Sequence, residues 1–581
     1  MRTIPPRLPS RGLACGAVLL VLGACGGEAD TEAGSRQSAT DDFCGPALAA
    51  VEAYQAEVAV DPVMPGPAER YGGTLVVGDL GELGDGMNGF VSQNDAAAQH
   101  QGFVNLMTLL LFDGDLQPQP YLAESWEVSE DGRTLTFTLR DDVYWHDGEI
   151  TDAEDIVFTF ETAKNPETGY PNPAYLDPYT SVEAIDARTV RFTLEPHAEY
   201  LVALGALIIM PEHLLGDVPP PELRQHPFGS QCPVGNGPFV FSSHRPQESW
   251  TFTANPAFPA ELGGRPYVDR YVYRAIPEQT TLLTDLFTGS VDINMALRAD
   301  QAAQVLAESD VELETYTRRA YDFVGWNARR AKLEDPMVRR AITLGTNRRE
   351  IVDALLAGYG EVANSSVPPY HWAYDPSLTD MYAYDPEAAR RLLDEAGWVD
   401  RDGDGVRENA EGVPLSLEVK FNEGNQTRQD VGEIMQAQLT RIGVDLQPTV
   451  VEFNTLVGQI TGEARDFDGV ILGWTPGYKL DDRDIFHSER IDGPYAFSGT
   501  ENPEVDRYID TLQTILDRDD ARPVWLEYQR VLAEEQPYTF LYFPPGLAAY
   551  RNRVNGVDMD VSGEWAGIRG WWIEPSERRQ R

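Results

Sequence analysis

Residues 132–140, GRTLTFTLR, alternate apolar and polar side chains, with Leu135, Phe137 and Leu139 facing one way and threonines the other. Residues 189–194, TVRFTL, repeat the pattern with Val190, Phe192 and Leu194. A period of two sends successive side chains to opposite faces, which predicts half-buried strands. Between the two runs the period changes. Thr151 and Glu154 make a capping box ahead of Ile156, Val157 and Phe160, which predicts a helix. Further helices are predicted at Asp335-Pro336 (Val338, Ala341, Ile342), at the capping box Asn347/Glu350, and at Asp385-Pro386. The last buries Ala389, Leu392, Leu393 and Ala396 and stops at Gly397. GGTLVVG (72–78) adds a short apolar strand. Strands and helices interleaved in this way predict a mixed α/β fold. No internal repeat of fixed period occurs.

The chain has 581 residues, 42% of them hydrophobic, enough for several domain-sized cores. Its formal net charge is −47. Nucleic acid and anionic lipid would both be repelled, so neither is expected as a partner. At the N-terminus, Arg2, Arg7 and Arg11 precede the apolar run GLACGAVLLVLGAC. The run is short for a membrane span, which needs about 20 residues, and has the basic and apolar regions of an export signal. Leu22-Gly23-Ala24-Cys25 resembles a bacterial lipobox, which implies a signal peptide over 1–24 and lipidation of Cys25. Cys44 and Cys232 then remain as an even pair in an oxidising compartment and are expected to form a disulfide. Residues 26–42 are small, polar and acidic and read as a tether. Gly45-Pro46 opens a helix with Leu48, Val51, Tyr54 and Val58 on one face.

Enzymatic motifs are absent. No lysine follows a glycine, so there is no P-loop, and neither HExxH nor GxSxG occurs. His146, in YWHDGE, reads as a structural histidine at a turn. One stretch fits a metal template. In DRDGDGVRENAE (400–411), Asp400, Asp402 and Asp404 take positions 1, 3 and 5 of a calcium loop, Gly405 position 6, the Val406 carbonyl 7, Glu408 9 and Glu411 12. Against calcium, the following GVPLSLEVKF reads as a strand rather than a helix, and Arg407 stands where an apolar residue is usual. The alternative is a solvated acidic hairpin without metal. No other cofactor is expected.

Several long motifs in order resemble the extracellular solute-binding proteins of family 5, the peptide- and nickel-binding class that serves ABC importers. They are residues 120–161 (PYLAESWEVSEDGRTLTFTLRDDVYWHDGEITDAEDIVFTFE), PVGNGPFVF (233–241), DPMVRRAITLGTNRREIV (335–352), YDPEAARRLLDEAGW (384–398) and NPEVDRYIDTLQ (502–513). The resemblance implies a two-lobed periplasmic-binding fold of the class II type with an interlobe cleft and hinge. After the signal peptide and a tether with N-terminal helix (25–69), lobe I is expected over 70–315, lobe II over 316–544, and a return to lobe I over 545–581. The chain would cross near residues 315–323 and 538–545. It further implies a lipid-anchored monomer outside the membrane, in the periplasm or on the outer surface, that captures a solute and delivers it to permease and ATPase subunits.

In peptide-binding members a Gly-Trp strand lines the cleft and an aspartate soon after it takes the peptide amine. Here Gly473 and Trp474 match that segment, Thr475 and Tyr478 are further candidate ligand contacts, Gly477 stands where dipeptide binders carry the aspartate, and Asp481 or Asp482 could substitute if the loop folds back. An oligopeptide is the expected solute. An oligosaccharide or other polar organic solute stacking on aromatics is the alternative, and nickel a weaker one for want of a histidine cluster. A tethered envelope hydrolase would need a nucleophile–base pair, and none is seen. Cys232 beside the 233–241 turn could hold the N-terminal helix through Cys44.

Overall fold

The computed structural model describes residues 29–84, 86–91, 94–171 and 173–578. Cys25 and the signal peptide lie outside these residues. The alternating runs form Thr134–Leu139 and Thr189–Leu194, neighbours in a four-stranded antiparallel sheet with Ala123–Val128 and Tyr179–Asp186 at its edges. Leu135, Phe137, Leu139, Val190, Phe192 and Leu194 are buried on one face, with Ile156 and Phe160 of helix Ala153–Lys164 in the same core. The helix is capped one residue later than expected. Asp152 accepts from the Glu154 amide and the Asp155 carboxylate from the Asp152 amide, while the Thr151 hydroxyl is occupied by Asn236. Asp335, Asn347 and Asp385 cap their helices as their spacing predicts.

Two larger sheets define two lobes. The seven-stranded sheet runs in the order Val311–Thr317, Pro545–Arg551, Ile293–Asn294, Thr74–Asp79, Arg270–Ala275, Ser249–Ala254, Phe239–Arg245. The six-stranded sheet runs Glu361–Val362, Tyr538–Phe543, Tyr321–Trp326, Gly469–Trp474, Ser416–Asn422, Asp445–Val451. The chain passes between them twice, at residues 318–320 and at residue 544, and both crossings are side by side because Val311–Thr317 pairs with Pro545–Arg551 and Tyr321–Trp326 with Tyr538–Phe543. The return segment closes the first lobe: Trp565, Ile568, Trp571 and Ile573 lie in its core beside Leu75 and Val77.

The N-terminal helix runs Ala29–Val58, so the stretch read as tether is helical from Ala29; alanine, glutamate, arginine and glutamine there are all adequate helix formers. Its buried face is Cys44, Ala47 and Val51, with Leu48 turned outward. A disulfide joins Cys44 to Cys232, 188 residues on. The 233–241 turn is built for close approach: a Cβ on Gly235 would lie against the Asn105 carbonyl, and one on Gly237 within 2.7 Å of the Leu106 carbonyl. His146 fills the same turn. Its Nδ1 accepts from the Gly235 amide (3.2 Å) and its Nε2 donates to the Gly237 carbonyl (3.0 Å), and burial lowers its pKa to about 4. It is a neutral structural histidine.

Candidate functional site

The strand Gly469–Trp474 lies between Tyr321–Trp326 and Ser416–Asn422, with Gly473 opposite Asp322 and Trp474 opposite Tyr321. Its end opens on a cavity of about 400 Å³ beside the two crossings. Leu297, Arg298 and Leu547 line it from the first lobe; Asp322, Arg428, Gly473, Trp474, Thr475 and Tyr542 line it from the second, with Arg318 of the crossing segment between them. Its size falls in the usual range for small-molecule sites. Trp474 is half-buried. It stacks on Phe497 (centroids 5.5 Å, planes 6° apart) and, at 6.2 Å, on Phe323, meets Tyr495 edge-on at 5.6 Å, and also lines the cavity. It is therefore a member of the lobe II aromatic core and a wall of the cavity at once.

The charges of this cavity are arranged unequally. Arg298 is held bidentate by Asp300, and Arg318 lies 3.5 Å from Glu564. The Asp322 carboxylate makes no hydrogen bond or ion pair with any described residue. Burial, partly offset by the Arg428 and Arg318 guanidiniums, holds its carboxyl up at about 6. Arg428 donates through Nη1 to Asn422 (2.7 Å), but its Nε is buried without a partner. The guanidinium also sits in the first turn of helix Gln426–Leu439, where the helix dipole disfavours positive charge.

Gly473 gives its space to Asp322: a Cβ there would come within 3.1 Å of the Asp322 Oδ1. Gly477 is at the rim, where a Cβ would come 3.1 Å from the Tyr175 hydroxyl of the first lobe. Tyr478 spans the lobes. Its ring stacks on Phe112 (4.7 Å), its hydroxyl donates to the Ser562 carbonyl (2.5 Å), and Arg319 lies over its face at 4.1 Å.

Asp481 and Asp482 do not line the cavity that holds Gly473, Trp474 and Thr475. Asp481 accepts from Gln513 (3.0 Å) and lies 3.4 Å from Lys479. Asp482 is enclosed in lobe II, where its Oδ2 accepts from Ser366 (2.5 Å) and Tyr528 (2.6 Å), and burial raises its pKa to about 6. The loop folds back at the rim, where both aspartates line a separate cavity with Ala198 and Glu199 of the first lobe. Asp322, Arg428 and Tyr542 went unread in the sequence. A signal existed for the first: one aspartate stands inside the otherwise apolar strand AYDFVGW.

In the acidic loop, only Asp400, Asp402 and Glu408 bring carboxylate oxygens within 4.8 Å of one another; Asp404 and Glu411 stand outside the group. Asp400 accepts from the Gly403 and Gly405 amides, Asp402 from Asp404, and Asp404 from Val406, so the loop's own backbone occupies these oxygens.

Two lobes joined by adjacent crossings, with a cavity walled by both, define a binding protein that encloses its ligand between lobes. Residues 117–488 match the model of the bacterial extracellular solute-binding proteins, family 5 Middle, and the chain belongs to that family. Among its relatives is the oligopeptide-binding protein AppA of Bacillus subtilis, 30% identical over 87% of this chain and 92% of AppA. The solved structure of that AppA with a nonapeptide superposes with a TM-score of 0.75 at 29% identity, covering 87% of this chain and 99% of AppA. NikZ of Campylobacter jejuni, solved with Ni(L-His), shares the fold at a TM-score of 0.74 and 24% identity, over 87% of this chain and all of NikZ. The family is one of solute-binding proteins rather than of enzymes. Among the described residues no helix is long and apolar enough to cross a membrane.

Proposed function

We propose that this chain is the lipid-anchored substrate-binding component of an ABC importer and captures an oligopeptide-like solute between its lobes, for transfer to permease and ATPase subunits. The observation that carries this reading is the cavity of about 400 Å³ walled by both lobes, with the unpaired Asp322 carboxylate and the Arg428 guanidinium among its lining groups. Fixed charges of both signs suit an ionised solute such as a peptide better than a neutral sugar. No histidine lines the cavity, which weighs against nickel. Trp474, Gly473 and Thr475 form its floor, and the half-exposed indole offers broad contact that tolerates varied side chains. The exposed strand end beside Gly473 can pair with a peptide backbone. Cys25 is the lipid-bearing residue, holding a monomer outside the membrane in the cell envelope.

Denaturing the purified protein and identifying what it releases by mass spectrometry tests this directly. Short peptides are expected. Recovery of a neutral glycan or a metal chelate in their place overturns the peptide reading. Changing Cys25 to Ser should move the protein from the membrane to the soluble fraction.

A further inference from the structure

An aspartate at the second position of the core strand Tyr321–Trp326 needs a reason. Tyr321 and Phe323, its neighbours, are buried in lobe II, yet Asp322 points to the cavity. The register against Tyr538–Phe543 slips between Asp322 and Phe323, so a bulge falls on this residue. Bulges re-aim side chains and are enriched beside functional sites. On the other neighbouring strand, Gly473 leaves open the volume that the carboxylate occupies. Two backbone devices therefore place one carboxylate in the cavity wall, where no described residue pairs with it. A carboxylate so placed is costly unless a cation meets it. Its surroundings supply none at bonding distance: Arg428 on helix Gln426–Leu439 and Arg318 on the crossing act only through space, Tyr542 lies on the next strand, and across the cavity Arg298 and Asp300 satisfy each other.

We infer that Asp322 receives a protonated amine of the bound solute, and that the Arg428 guanidinium, which lines the same cavity, receives an adjacent oxygen, carbonyl or carboxylate. This rests on the peptide reading above and assigns its polarity: the amine end lies against the bulge, and the Asp481/Asp482 loop takes no part. The ammonium could be a peptide N-terminus or a lysine side chain; both offer the same chemistry to a carboxylate.

The test uses the mature protein and two pools of random lysine-free nonapeptides, one with free N-termini and one N-acetylated, with an N-acetylated lysine-containing pool as a third arm. Capture is quantified by mass spectrometry of the retained peptides. The parent should retain the free-amine pool at least about tenfold over the acetylated lysine-free pool. Retention of the acetylated lysine pool locates the site on side-chain amines; its rejection locates it on the N-terminus. Asp322→Asn should erase the preference while melting no lower than the parent, since a buried carboxylate is replaced by a neutral amide. Should that variant misfold, the parent comparison stands, and lowering the pH through about 6 serves in its place: protonating the carboxyl should shrink the preference. Equal retention of all three pools overturns the Asp322 assignment and leaves the peptide reading standing. Retention of none overturns both. A preference that survives Asp322→Asn, or that is lost instead in Asp481→Asn, places the amine elsewhere.

Discussion

The interlobe surface has two ends that treat charge in opposite ways. At the rim, charges meet across the gap, although the Arg518 Nη1 is itself buried without a partner. Arg518 of lobe II grips Glu199 of lobe I through two bonds of 2.9 Å, and Lys479 meets His197 at 3.2 Å and Gln513 at 3.0 Å. The Ala198 amide donates to the Gln513 carbonyl (2.8 Å), and Tyr478 stacks on Phe112. Near the crossings, Asp322 and Arg428 line a cavity, and among the described residues the Asp322 carboxylate and the buried Arg428 Nε have no hydrogen-bond partner. Paired charges at the rim hold the lobes against each other; unpaired ones inside leave free energy to be gained when a solute arrives. The glycines mark the same division, since Gly477 admits Tyr175 at the rim and Gly473 admits Asp322 inside.

The largest effect should come from the inner end. Arg428→Ala removes a partly buried, cavity-lining guanidinium and should weaken peptide binding by about 2 kcal/mol or more. The fold should be nearly indifferent, because the charge lies at the wrong end of its helix. Calorimetry and a melting curve on the same sample separate the two; a collapse in stability with intact binding would make Arg428 structural.

Trp474→Ala blurs the division, because the indole serves both the core and the cavity. It should lower stability by about 2 kcal/mol, less than the 3–5 typical of a fully buried tryptophan, and weaken binding as well. Trp474→Phe should restore most of the stability. An Ala variant that melts like the parent would mean that the stack on Phe497 contributes little.

A smaller effect belongs to the rim. Arg518→Ala leaves Glu199 half-buried and alone and should cost roughly 1 kcal/mol of closure. Small-angle scattering of the empty protein should show a larger radius of gyration than the parent, with the solute restoring it. An unchanged radius in the empty variant would show that the rim does not hold the lobes.

The smallest concerns Asp482. Its folded pKa is raised to about 6, so its contribution to stability is present at low pH and lost as pH rises through that value. Asp482→Asn should therefore gain stability relative to the parent at pH 8 compared with pH 5, with peptide binding unaltered. A selective loss of amine-bearing peptides would return Asp482 to the site.

What the sequence disclosed divides along similar lines. Strands such as Thr134–Leu139 were legible because burial on one face writes a period of two into six residues. The caps at Asp335, Asn347 and Asp385 were legible because each acts within three residues of itself. The Gly-Trp strand was found by resemblance, and the structure puts it at the cavity. The fate of Asp482 was not legible, since Tyr528 and Ser366, 46 and 116 residues away, decide it. Asp322 was visible as a lone charge in an apolar strand, but its aim depends on a bulge against a strand more than two hundred residues later, which no local pattern records.

The central claim is that the solute sits where the chain leaves charges unpaired. A crystal structure of the protein loaded with its captured solute tests it most directly. The account predicts ligand density in the cavity beside Trp474, with a ligand nitrogen about 2.7–3.0 Å from the Asp322 carboxylate, a ligand oxygen at a similar distance from Arg428, and the Glu199–Arg518 pair intact. Ligand density elsewhere, or Asp322 and Arg428 bonded to each other in the loaded protein, would contradict it.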